Sequence, residues 1–153
     1  MRKMVRAVVA VGVACGFGLA AGSVAPASAT EAGTACQMQV SETQWGAGVL
    51  NLKSCDAFAR SDWDFDGYYD ETFAVRVDRT VWHSWPGSNG WALMPGNKTA
   101  DDINNYPVNG QSATWWSGST LSVRNLSVWV TGGTGYWCTS DPGTGWTGHW
   151  RDC

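Results

Sequence analysis

Apolar and polar positions alternate in short runs along most of this chain, and the runs are separated by clusters of Gly, Pro, Asn and Asp. That texture predicts strands and turns rather than long helices. Gln37–Val40 and Val49–Lys53 flank Trp45-Gly46-Ala47-Gly48 and read as a hairpin. Cys55–Arg60 reads as one helical turn capped by Ser54. Thr72–Val77 and Thr80–Trp85 are strands joined at Asp78-Arg79, and a turn at Pro86–Gly90 leads into a strand at Trp91–Met94. The polar stretch Pro95–Gly110 reads as an ordered loop. Thr114–Trp116, Thr120–Val123 and Ser127–Val130 are further strands. Gly132-Gly133-Thr134-Gly135 turns into Tyr136–Thr139, and Asp141–Gly145 turns into Trp146–Trp150. The expected fold class is all-β: a small disulfide-stapled β domain, either propeller-blade-like or a β-sandwich.

The N-terminus breaks this texture. Arg2, Lys3 and Arg6 precede an uncharged apolar run from Ala7 to Ala21, and Ala27-Ser28-Ala29 has the A-x-A form of a cleavage site. The run is shorter than the roughly 20 residues a spanning helix needs. Residues 1–29 are therefore expected to be a secretory signal, leaving residues 30–153 as a single all-β domain, secreted and extracellular, with no membrane attachment after cleavage. Removal of the signal leaves 7 Lys and Arg against 13 Asp and Glu. An acidic chain without a basic stretch is a poor partner for nucleic acid or an anionic membrane.

Cys15 departs with the signal, leaving Cys36, Cys55, Cys138 and Cys153. An even number of cysteines in an oxidising compartment predicts two disulfides. Of the three pairings open to them, Cys36–Cys55 and Cys138–Cys153 close short local loops and are preferred. A catalytic reading finds little support: His83 and His149 are the only imidazoles, and no G-x-S-x-G, H-E-x-x-H or catalytic-cysteine pattern is present. A Ser–His–Asp group would have to be assembled from His83 on its strand with Asp101 or Asp102, so no enzyme is expected.

The sharpest motif is Asp62-Trp63-Asp64-Phe65-Asp66-Gly67-Tyr68-Tyr69-Asp70. Carboxylates alternate so that a coiled loop can turn them toward one centre. Gly67 allows the bend, and the Tyr68 carbonyl adds a backbone oxygen. Hard cations such as Ca²⁺ take six to eight oxygens in this way. The loop is not an EF-hand, because Phe73 stands where a bidentate Glu belongs. Over residues 61–85 it resembles the calcium loop of FG-GAP/VCBS repeats, D-x-D-x-D-G-x-x-D followed by an apolar strand. That resemblance implies a structural Ca²⁺ held by Asp62, Asp64, Asp66, Tyr68 and Asp70.

Eleven tryptophans are more than one small core requires. Trp63, Trp82 and Trp129 sit in or beside strands, whereas Trp85, Trp91, Trp115, Trp116, Trp146 and Trp150 lie at turn edges. Exposed aromatic rings can stack on the C–H faces of sugars and mark binding sites. A faint repeat accompanies them. Thr80-Val81-Trp82 recurs as Ser127-Val128-Trp129, and Gly-rich turns ending in Trp follow at Gly87–Trp91 and Gly143–Trp146. A period of about 40–50 residues suits a propeller blade.

Gly118–Arg124, Trp137-Cys138 and Gly143–Thr147 together resemble a blade of the small fucose-binding propeller lectins, and Phe73–Arg76 with Trp85–Trp91 resembles a second blade. The resemblance implies sugar binding by Arg76 with Trp91 (beside Trp85) and by Arg124 with Trp146. The acid that such lectins carry on the next strand falls at Trp82 and Tyr136. Two blades cannot close a propeller, so this reading implies either a homo-oligomer or a different β fold. The expected function is a secreted, calcium-stabilised, carbohydrate-binding (lectin-like) domain using exposed tryptophans to bind a glycan or polysaccharide. The alternative is a secreted protein-interaction or inhibitor domain acting through Pro95–Gly110.

Overall fold

The computed structural model describes residues 36–96, 98–103, 112–132 and 135–153. The expected signal at 1–29 lies outside the described residues, as do residues 97 and 104–110 of the expected loop and Gly133-Thr134 of the expected turn. Among the described residues the domain is all-β, with ten strands and one short 3-10 turn at Thr43–Trp45. All sheet pairings are antiparallel.

Strands β1 (Gln39–Glu42) and β2 (Ala47–Asn51) form the expected hairpin. Its bend ends on Gly46, whose φ of 75° is the left-handed conformation that glycine adopts without strain. Two four-stranded meanders follow in chain order. The first runs through β3 (Phe58–Ser61), β4 (Glu71–Val75), β5 (Val81–Ser84) and β6 (Ala92–Leu93). The second runs through β7 (Thr114–Ser117), β8 (Val123–Val130), β9 (Gly135–Asp141) and β10 (Arg151–Asp152).

Three expectations are corrected. Cys55–Arg60 is not a helical turn. Asp56 takes φ 55°, which breaks a right-handed turn, and Phe58 onward pairs with β4. Ser54 does not cap; its hydroxyl donates to the Asp101 carbonyl at 3.2 Å. The two strands expected at Thr120–Val123 and Ser127–Val130 are one strand, β8, because residues 118–122 form its preceding turn with Leu121 at φ 49°. Trp146–Trp150 is a loop, and the strand behind it is the two-residue β10. The repeat is half correct. The turns before Trp91 and Trp146 both precede the fourth strand of their sheet, but Val81-Trp82 lies on a third strand and Val128-Trp129 on a second.

Every residue of β4 is buried, so both faces of this strand are covered. On one face Thr72 and Ala74 meet the hairpin: the Thr72 hydroxyl donates to Glu42 Oε1 at 2.8 Å, and Arg60 Nε donates to the same oxygen at 2.7 Å. On the other, Glu71, Phe73 and Val75 share a face with His83 and Val81 of β5 and with Ala59 and Ser61 of β3. This face packs against tryptophans from beyond β3 and from the loop after β9. Phe73 is fully buried, edge-on to Trp146 at 5.3 Å and to Trp63 at 6.5 Å, and stacked on His83 at 6.1 Å.

The disulfides are Cys36–Cys55 and Cys138–Cys153, the local pairing expected. Loops of this length stabilise by roughly 3 kcal/mol each on the chain-entropy view. The segment after β6 and the loop before β10 meet backbone to backbone. A Cβ on Gly96 would lie 2.0 Å from the Gly148 carbonyl oxygen, and Trp150 Nε1 donates to the Pro95 carbonyl at 3.0 Å beside it.

Phe73→Ala should empty the centre of this packing. The expected loss is about 3–5 kcal/mol, read as a lower urea midpoint at unchanged slope; a loss under 1 kcal/mol would contradict the position given to this ring.

Candidate functional site

The acidic loop connects β3 to β4, and its ends are adjacent because Ser61 and Glu71 are register partners. The Asp70 N–H donates to the Ser61 carbonyl at 2.8 Å and closes the loop. Inside, the carboxylates are oriented by backbone donors. Asp62 accepts from the N–H of Asp66 at 3.2 Å and of Gly67 at 2.8 Å. Asp64 accepts from Asp66 at 3.2 Å, and Asp70 accepts from Trp63 at 2.6 Å. The bend places Phe65 at φ 62° and Gly67 at φ 92°.

One oxygen each from Asp62, Asp64 and Asp70 lies within 4.8 Å of the others. Asp66 is not in that group; its Oδ1 accepts the Tyr68 N–H at 2.8 Å. The all-oxygen donor set fits a hard divalent cation. Although the Asp66 N–H lowers the pKa of Asp64, its partial desolvation and the charges of Asp66, Asp70 and Asp62 together raise it above the ordinary carboxylate value. The loop thus contains repulsion that a cation would relieve.

Beside this loop runs a cleft of about 400 Å³. One wall is Arg60, Ser61, Asp62, Trp63 and Phe65; the other is Ser112, Thr114, Trp115, Trp116 and Leu121. The walls are tied together, since Trp116 Nε1 donates to the Trp63 carbonyl at 3.0 Å and the two rings meet edge-on at 5.5 Å. Phe65 is 71% exposed and Leu121 57%, forming an apolar rim. Arg60 is steadied by Glu42 and lies 5.6 Å from the centre of the Tyr69 ring.

The lectin-type residues divide into two groups. Arg124 and Trp146 are brought together, but around a buried acid. Trp146 Nε1 donates to Glu71 Oε1 at 3.0 Å, and Arg124 lies 3.6 Å from Glu71 Oε2. The acid on the strand next to Arg124 is Asp141, its direct register partner, and not Tyr136, which lies opposite Trp129. Asp141 is fully buried, pairs with Arg124, and accepts the N–H groups of Gly143 at 2.7 Å and Gly145 at 2.8 Å.

Arg76 and Trp91 do not meet. Arg76 follows the Val75–Val81 pair at one end of the first sheet, and Trp91 precedes the Ala92–His83 pair at the other. Arg76 instead pairs with Asp78 at 3.0 Å, and Trp91 Nε1 donates to the Gly48 carbonyl at 2.7 Å. Trp85 is 38% exposed, with its ring 4.6 Å from His83.

His83 is buried, not solvent-facing. Its Nδ1 lies 2.7 Å from Glu71 Oε1, while Asp101 is held by Arg79 and by the Thr131 N–H. The cleft residues Phe65, Trp115, Trp116 and Leu121 had no local signal assigning them to one site. They converge because β7 lies against β3. No known protein family, curated protein or solved structure matches the chain.

Burial pushes the Asp141 carboxyl up, but the Gly145 and Gly143 N–H groups and Arg124 outweigh it and hold its pKa below the ordinary value. A carboxylate depressed in the folded state adds stability above its unfolded pKa of about 3.9, and that contribution is lost as pH falls through the folded value. Asp141→Asn should therefore cost about 2–3 kcal/mol at pH 7 and flatten the fall of Tm below about pH 4. Melting curves between about pH 2 and 7 check this, and an unchanged acid limb would refute it.

Proposed function

We propose that this is a secreted carbohydrate-binding domain whose sugar site is the cleft between the acidic loop and β7, with a calcium ion holding the loop wall. The observation that carries the reading is the cleft itself, in which aromatic rings and hydroxyl, carboxylate and guanidinium groups share one 400 Å³ space. A pyranose needs that combination: apolar ring faces for its C–H faces, and fixed polar groups for its hydroxyls. Trp115 and Phe65 are the stacking surfaces. Arg60, Asp62, Ser112 and Thr114 are the hydrogen-bonding groups.

Export is supported by the two disulfides, which persist in oxidising compartments. Among the described residues no helix is long and apolar enough to cross a membrane. Calcium is supported by the Asp62, Asp64 and Asp70 oxygens gathered within 4.8 Å. The ion's part is to neutralise these carboxylates and fix the loop. The chain's own N–H groups orient the carboxylates beforehand.

Two measurements test the reading. On a glycan array the protein should bind a restricted set of sugars, and Trp115→Ala should weaken that binding about tenfold or more without lowering Tm. A blank array, with a protein recovered in pull-down, would instead favour the interaction reading. Calcium should raise Tm by linkage. Asp64→Asn should erase that rise and, in EDTA, melt no lower than the wild-type chain because it removes a charge from a crowded loop. No calcium response in the wild-type protein would remove the ion from the reading.

A further inference from the structure

Arg60 belongs to two hollows of the surface at once. It lines the cleft beside the acidic loop, and it also lines a groove of about 810 Å³ along the β1–β2 hairpin. Among the described residues it is the one side chain common to both linings, so the two hollows adjoin at this residue. Pockets for drug-sized ligands span about 300–1,000 Å³. The cleft alone lies near the bottom of that range and is sufficient for one pyranose, which is smaller than such ligands. The groove beyond Arg60 is about twice as large and is not needed for a single sugar.

The passage between them is fixed. Arg60 Nε donates to Glu42 Oε1 at 2.7 Å, and the guanidinium lies 5.1 Å from the centre of the Phe58 ring and 5.6 Å from that of Tyr69. Glu42 is itself buried and also accepts from Thr72 at 2.8 Å and from Gln44 at 2.6 Å. A guanidinium held along one edge and packed against two rings does not swing across the passage. The side chain still keeps 31% of its surface exposed, and no described residue accepts from its terminal nitrogens. Those N–H groups form a planar fork that remains for a ligand crossing from one hollow to the other.

The groove carries a polar pair of its own. Gln39 and Asn51 are exposed register partners, and Gln39 Nε2 donates to Asn51 Oδ1 at 2.7 Å. That bond orients both amides and leaves Gln39 Oε1 to accept and Asn51 Nδ2 to donate. A sugar hydroxyl does both. Val49 and Val77 are exposed in the same groove and offer apolar surface to C–H groups. Apart from Arg60 the lining is uncharged, and that one cation is already paired with Glu42. The chain as a whole is net negative. A neutral ligand is therefore favoured over a polyanion.

We propose that the ligand is an internal stretch of a neutral, linear polysaccharide, with one pyranose in the cleft and the following units crossing Arg60 into the hairpin groove. This rests on the cleft being the sugar site, and it adds chain length and charge to what is recognised. A terminal or branch-point sugar would use the cleft alone.

Titration calorimetry of the full domain with matched disaccharides and hexasaccharides tests this. The probes are the cello-, xylo-, manno- and N-acetylchito-oligosaccharide series. One series should bind, and its hexasaccharide should bind about tenfold or more tighter than its disaccharide, because each added hydrogen bond contributes a few-fold. Asn51→Ala, an exposed change outside the cleft, should weaken the hexasaccharide about fivefold and leave the disaccharide unchanged. Trp115→Ala should weaken both. An oligogalacturonate of the same length should bind more weakly than the neutral hexasaccharide.

Equal affinity for the two lengths would overturn the extended site and leave the cleft as a sugar site. So would a length gain that survives Asn51→Ala combined with Gln39→Ala. Tighter binding of the oligogalacturonate would overturn the neutral chain. Failure of every disaccharide and hexasaccharide to bind would overturn both the extended site and the cleft.

Discussion

The arrangement depends on one buried carboxylate. Glu71 lies at the start of β4, between the two sheets, where an isolated charge is costly. It is stabilised by groups from both sides. Trp63 Nε1 donates at 3.0 Å and His83 Nδ1 lies at 2.7 Å from within the first sheet's part of the chain. Trp146 Nε1 at 3.0 Å and Arg124 at 3.6 Å come from the second. Asp141 in turn pairs with Arg124, so the charges alternate across the interior. The cleft inherits its spacing from this group, because the Trp63 held by Glu71 presents the carbonyl to which Trp116 of β7 donates.

The tryptophans acquire a double meaning in this light. Among the described residues six place their indole N–H on a specific acceptor: Trp63 and Trp146 on Glu71, Trp82 on Thr80, Trp91 on Gly48, Trp116 on Trp63 and Trp150 on Pro95. Each ring contributes a large buried area and one directional bond. A domain this small has little core to spare, and these pins supplement its disulfides. The abundance of Trp is therefore mainly architectural. The share left to the proposed sugar site is the few rings at the cleft.

Local features were legible in the chain. The hairpin around Gly46, the β-branched strands at Thr72–Val77 and Thr80–Trp85, the short-loop disulfides and the acidic loop all follow from neighbours in sequence. Features set by distant partners were not. Cys55–Arg60 has a helical composition, but β4 offers Phe58–Ser61 a complete ladder, and pairing prevails over propensity. Arg124 finds its acid at Asp141, because β8 is longer than its two apolar halves suggest and the register shifts accordingly. The cleft joins residues about fifty positions apart, and no pattern within either segment announces the other.

The contact between Gly96 and Gly148 has an evolutionary corollary. A Cβ on Gly96 would lie 2.0 Å from the Gly148 carbonyl oxygen, where no methyl group fits, and one on Gly148 would press at 3.0 Å on Gly96 and Pro95. Both residues also hold positive φ, at 83° and 69°, so selection acts on each twice over. A lineage carrying this fold could lose most of its surface identity and still be obliged to keep this pair.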